Sequence, residues 1–72
     1  MPKPHSFREI VSVLLRAGFE LVSQKGSHGK FKYEKSSAMR IVIVPLAKRE
    51  IPYGTFRSIV RQSGLSEDEF KL

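Results

Sequence analysis

The sequence contains no cysteine, so neither a disulfide framework nor a thiolate metal centre can hold this chain together. No apolar run approaches the roughly 20 residues that a bilayer-spanning helix requires, and the N-terminus lacks the apolar stretch of a signal peptide; the expected location is the cytoplasm. Acids are scarce as well: 7 Asp and Glu stand against 13 Lys and Arg, a net charge of +6. Three of those acids are Glu67, Asp68 and Glu69, so residues 1–66 carry twelve bases and four acids, or +8. Repulsion of that size calls for an anionic partner, either nucleic acid or an acidic protein, although a generically basic soluble surface has the same composition. There is no nucleophile elbow, phosphate loop or dinucleotide fingerprint, and no acids stand at metal-ligand spacing. The two histidines, His5 and His28, are far apart, so neither a metal nor a cofactor is expected.

What remains is an ordinary globular composition, 40% hydrophobic and 28% charged, in 72 residues. A chain of that length has room for one thin core, and 1–72 is read as a single domain. Over 6–17 the apolar residues Phe7, Ile10, Val11 and Leu14 fall at i, i+3, i+4 and i+7, one face of an amphipathic helix, with Arg8, Ser12 and Arg16 away from that stripe. Ser6 and Glu9 form a capping box at its start, and Gly18 supplies the stop. Strand-like segments follow at 19–25, 30–35 and 39–44. The first two are joined by a turn over 26–29, and the second connection is Ser36, Ser37 and Ala38. Residues 46–52 read as a loop. A second helix over about 54–63 has Phe56, Ile59 and Val60 on one face, ends at Gly64, and precedes a short turn anchored by Leu65 and Phe70.

The order α-β-β-β-α with short connections predicts an α+β, two-layer domain: a three-stranded antiparallel sheet with both helices on one face. The alternation is expected to turn Phe31, Tyr33, Met39, Ile41 and Ile43 toward the helices. Lys30, Lys32, Arg40, Val42 and Val44 are then left on the opposite face.

The candidate chemistry centres on Lys25-Gly26-Ser27-His28-Gly29-Lys30. Histidine, with an ordinary pKa of about 6.5, takes and returns a proton near neutral pH. The glycines remove bulk where a phosphate backbone would approach, Ser27 offers a hydrogen bond, and Lys25 and Lys30 bracket the site with positive charge. RNA supplies its own nucleophile, the 2′-hydroxyl, so a base beside cations suffices for transesterification without metal. The competing reading is an exposed turn histidine with no catalytic role. His5, near the N-terminus, is the weaker candidate of the two. Arg57 and Arg61, a like-charge i,i+4 pair on the second helix, and Lys48 and Arg49 in the preceding loop each read either as phosphate contacts or as a solvated face.

Taken together, Arg16-Ala17-Gly18-Phe19, the Gly26-Ser27-His28 turn, Val42-Ile43-Val44-Pro45, Ile51-Pro52-Tyr53-Gly54-Thr55-Phe56-Arg57-Ser58-Ile59 and Gln62-Ser63-Gly64-Leu65-Ser66 resemble the HicA (YcfA-like) mRNA interferase toxins over almost the whole chain. The resemblance implies a fold like a double-stranded-RNA-binding domain. It also implies an endoribonuclease acting on mRNA as the toxin of a type II toxin–antitoxin pair, with His28 as the catalytic residue and a HicB-type antitoxin as partner. Many members carry a second histidine where this chain has Gly29, and another shortly after the strand-closing proline, where this chain has Leu46-Ala47-Lys48. Lys30 or a water is then expected to supply the second proton. Two further readings of the same residues are a non-catalytic RNA-binding module of this fold and a domain that docks an acidic protein.

Overall fold

In the computed structural model, which describes residues 5–35, 38–46 and 50–70, Ser6 caps helix α1 (Phe7–Arg16) through both arms of the expected box. Ser6 Oγ accepts from the Glu9 N–H and Glu9 Oε1 accepts from the Ser6 N–H, each at 3.2 Å. Ala17 caps the other end and Gly18, at φ 102°, turns the chain into the sheet, a backbone conformation that a side chain would disfavour. Helix α2 (Tyr53–Ser63) ends on Gly64 in the left-handed region, at φ 74°.

Between the helices, β2 (Glu20–Lys25), β3 (His28–Lys35) and β4 (Ala38–Pro45) form an antiparallel meander in the order β2-β3-β4. The helices supply Ile10, Val13, Leu14, Phe56 and Ile59 to a core completed by Phe19, Phe31, Val42, Val44, Ile51 and Phe70. Each large apolar side chain buried this fully contributes about 1.5–3 kcal/mol relative to exposure. This is the expected α+β arrangement, three antiparallel strands and two helices, and it is consistent with a double-stranded-RNA-binding fold. Among the described residues, no helix is long and apolar enough to cross a membrane.

Three expectations are corrected. Residues 46–52 are not loop throughout: Glu50–Ile51 is a short strand, β5, paired antiparallel with β1 (His5–Ser6), and Ile51 is fully buried. His5 therefore has a structural role. Its ring stacks on Phe56 at 4.2 Å, and Nε2 donates to the carbonyl of Phe70 at 2.9 Å, joining the first strand to the closing 3-10 turn (Glu67–Phe70).

The hairpin turn is tighter than 26–29. Lys25 pairs with His28, so the loop is Gly26-Ser27 alone, with Gly26 at φ 60° as a two-residue hairpin requires.

The third correction concerns β4. Phe31 pairs with Val42 and Tyr33 with Arg40, so Val42, Val44 and Arg40 lie on the helix side, while Met39, Ile41 and Ile43 turn to the opposite face. The cause is the connection length. Lys35 pairs with Ala38, leaving two residues between the strands instead of three, and a shift of one residue transfers every β4 side chain to the other face. Arg40 reaches back over the end of α2, where a Cβ on Gly64 would overlap its guanidinium. The free edge of β4 is covered there as well, by Gln62 Oε1 accepting from the Ile43 N–H at 3.3 Å.

Candidate functional site

Residues paired across antiparallel strands project to the same side, so the register gives the composition of the uncovered sheet face row by row. The first row holds Lys25, His28 and Pro45, the second Ser23, Lys30 and Ile43, and the third Glu20, Lys32 and Ile41; Glu34 and Met39 end the face. His28 is thus the first residue of β3, at the base of the hairpin and flanked on both sides by strands.

The two ends of this face differ in charge. At the far end Lys32 Nζ lies 3.6 Å from Glu34 Oε1, and the Glu20 carboxylate is on the neighbouring strand. At the near end Lys25, Ser27, His28 and Lys30 are all exposed, and none is ion-paired among the described residues. No acid occupies the rows of His28 and Lys30. Four of the candidate site residues, Lys25, Ser27, His28 and Lys30, are therefore brought together on one corner.

The corner is tied to the rest of the fold through the turn. The Leu46 N–H donates to the Ser27 carbonyl at 2.6 Å, drawing the segment that leaves β4 against the hairpin. Lys48 and Arg49 follow in that segment but lie outside the described residues.

Arg57 and Arg61 stand elsewhere, exposed on α2. Arg57 lies over the Tyr53 ring at 5.9 Å. The Tyr53 side chain, with Glu67 behind it, raises the guanidinium pKa above the ordinary arginine value. Tyr53 Oη is also 3.4 Å from Glu67 Oε1. Arg57 is thus held in a small surface cluster with an acid, and no hydrogen bond, ion pair or ring contact among the described residues joins either arginine to His28.

The face also carries an apolar row that the sequence alternation had assigned to the core. Met39 is 60% exposed and Ile43 42%, with Ile41 half-buried between them. Val22, bulged out of the β2 ladder, is 49% exposed. The signal that could have found this row is the two-residue connection after Lys35, because hydropathy alone is uniform along Ile41-Val42-Ile43-Val44.

Chemically, the corner offers one imidazole, one hydroxyl and two ammonium groups to solvent, a set that can bind an anion and move a proton. Among the described residues no three of His, Cys, Asp and Glu gather in a group that could hold a metal ion.

The family model for the HicA toxin of bacterial toxin-antitoxin systems matches residues 7–65, a span that takes in both helices, the whole sheet and His28. No curated protein matches the chain. A toxin of this kind implies an antitoxin partner. With the match covering most of its length, the chain belongs to the HicA toxin family.

Proposed function

We propose that this chain is the toxin of a type II pair, a cytoplasmic, metal-independent endoribonuclease that cleaves mRNA with His28 as the proton-transfer residue. The reading rests on one observation above all: His28 is exposed between Lys25 and Lys30 at the end of the sheet face where no acid offsets the cations.

The imidazole of His28 takes the proton of a ribose 2′-hydroxyl as that oxygen attacks the adjacent phosphorus. The bond from phosphorus to the 5′-oxygen breaks as the new one forms, and the leaving oxygen takes a proton from Lys30, a water or the imidazolium itself. The products are a 2′,3′-cyclic phosphate and a 5′-hydroxyl. Lys30, two residues along the strand and so about 7 Å away at the backbone, has the reach to stabilise charge on the phosphorane. Lys25 and the Ser27 hydroxyl hold the flanking backbone. Lys48 and Arg49, which follow Leu46 in the chain, and Arg57 and Arg61 on α2 extend the phosphate contacts beyond the corner.

A HicB-type antitoxin silences the enzyme by covering this face. The Met39, Ile41 and Ile43 row supports that reading, because apolar side chains contiguous with a basic site suit an acidic protein with an apolar contact surface.

The test is cleavage of a defined RNA by the purified protein with chemical analysis of the new ends. The expected result is cyclic phosphate and 5′-hydroxyl ends formed equally well in excess EDTA. Ends bearing 3′-hydroxyl and 5′-phosphate, produced only with added divalent metal, would remove His28 from the mechanism.

A further inference from the structure

The mechanism above leaves Leu46 unused, yet its packing sets the position of the turn that carries His28. Gly29 pairs with fully buried Val44 and is itself buried, so its α-carbon faces the core side of the sheet. Its backbone is not in the left-handed region, so conformational freedom does not explain a glycine there. Space does. A Cβ on Gly29 would stand 2.9 Å from Leu46 Cδ1, 3.3 Å from Leu46 Cγ and 3.2 Å from Leu21 Cδ1. The Leu46 side chain thus fills the volume that any residue at position 29 would need, with Leu21 closing the other side.

The same residue holds the turn through its backbone, the Leu46 N–H donating to the Ser27 carbonyl at 2.6 Å. One leucine therefore touches the residue before His28 by a hydrogen bond and the residue after it by packing. His28 itself makes no side-chain hydrogen bond or ion pair among the described residues, so its direction is set by the backbone on either side.

We propose that Leu46 is a positioning residue for His28: seated over Gly29 and bonded to Ser27, it fixes the start of β3 and with it the imidazole. The proposal rests on His28 being the proton-transfer residue. Larger side chains at position 29 act through Leu46, pushing it outward and pulling the Ser27 carbonyl with it. A displacement of about 1 Å or less at a reacting group is enough to slow chemistry while leaving substrate contacts in place.

The experiment compares Gly29→Ala, Leu46→Ala and the double variant, with Leu46→Val as a milder form should Leu46→Ala unfold. For Gly29→Ala, kcat is expected to fall roughly tenfold with KM within about twofold of the parent, the pattern of a misplaced catalytic group rather than lost binding. The double variant should recover part of that loss, because removing the Leu46 side chain makes room for the new Cβ; the effects will then be non-additive. Two readouts need no RNA: hydrogen exchange of the residue 46 amide, expected to quicken in each single variant, and the NMR shift of the His28 ring, expected to move in Gly29→Ala and return in the double variant.

Parental kcat and an unmoved His28 signal in Gly29→Ala would overturn the proposal, as would single effects that simply add in the double variant. If the parent protein cleaves no RNA, the nuclease reading fails, while exchange and ring shift still decide whether Leu46 sets the turn.

Discussion

The two ends of the uncovered sheet face are built from the same three strands with the same alternation, yet one is basic and the other is neutralised. Around Lys32 the carboxylates of Glu34 and Glu20 offset the positive charge, whereas Lys25, His28 and Lys30 have no acid in their rows. Stability does not explain the difference, since an exposed pair such as Lys32–Glu34 contributes at most about 1 kcal/mol. Recognition does. A cation already paired with a neighbouring carboxylate gains less from a phosphate, so withholding acids from one end concentrates anion binding there.

The sharpest way to break this comparison is His28→Ala. The side chain is exposed and truncation leaves no cavity, so Tm should stay near the parental value. Cleavage should fall by about 10²–10⁴, the usual contribution of general acid–base catalysis, and growth arrest on expression should disappear. Parental cleavage by His28→Ala would leave the basic end as a binding surface only.

The two sides of β4 provide the next test, by thermal or denaturant unfolding. Val44→Ala opens the core and is expected to cost about 1–3 kcal/mol, whereas Ile43→Ala, on the uncovered face, should cost less than about 1 kcal/mol and instead weaken antitoxin binding. Equal costs would mean that the register of β4 is wrong.

A smaller effect separates the two ends directly. Measured as RNA affinity against salt, Lys25→Ala combined with Lys30→Ala should flatten the slope by about 1.4, or about 0.7 for each lost phosphate contact. Lys32→Ala should change it little, and a larger change at Lys32 would move the RNA path toward the far end.

The smallest effect is expected on the stability of the free protein at Arg57, where exchange of the guanidinium for a methyl removes, within the fold, only the contacts to Tyr53 and Glu67. Stability should shift by no more than about 0.5 kcal/mol in a denaturant titration.

The local signals in the sequence were reliable where the physics is local. The Ser6–Glu9 capping box, the stops at Gly18 and Gly64, and the apolar stripes of both helices were legible because each depends on residues within a turn or two of one another. So was the clustering of Lys25, Ser27, His28 and Lys30, since a tight hairpin keeps sequence neighbours together. The sides of β4 were not legible. Met39, Ile41, Val42, Ile43 and Val44 are all apolar, and only the number of residues between Lys35 and Ala38 decides which of them meet the helices. Nor was the role of His5 legible, because its partners Phe56 and Phe70 lie more than fifty residues away.

By itself, then, the sequence determined the helices, the meander and a histidine among cations, because capping, periodicity and turn chemistry act over a few residues. Tertiary structure alone decided which side of β4 is buried, that the far-end lysine is offset by acids while the near-end ones are not, and that Leu46 rests on Gly29 and holds Ser27. Each of these depends on strand register or on contacts between distant segments, which are settled only when the chain closes on its core.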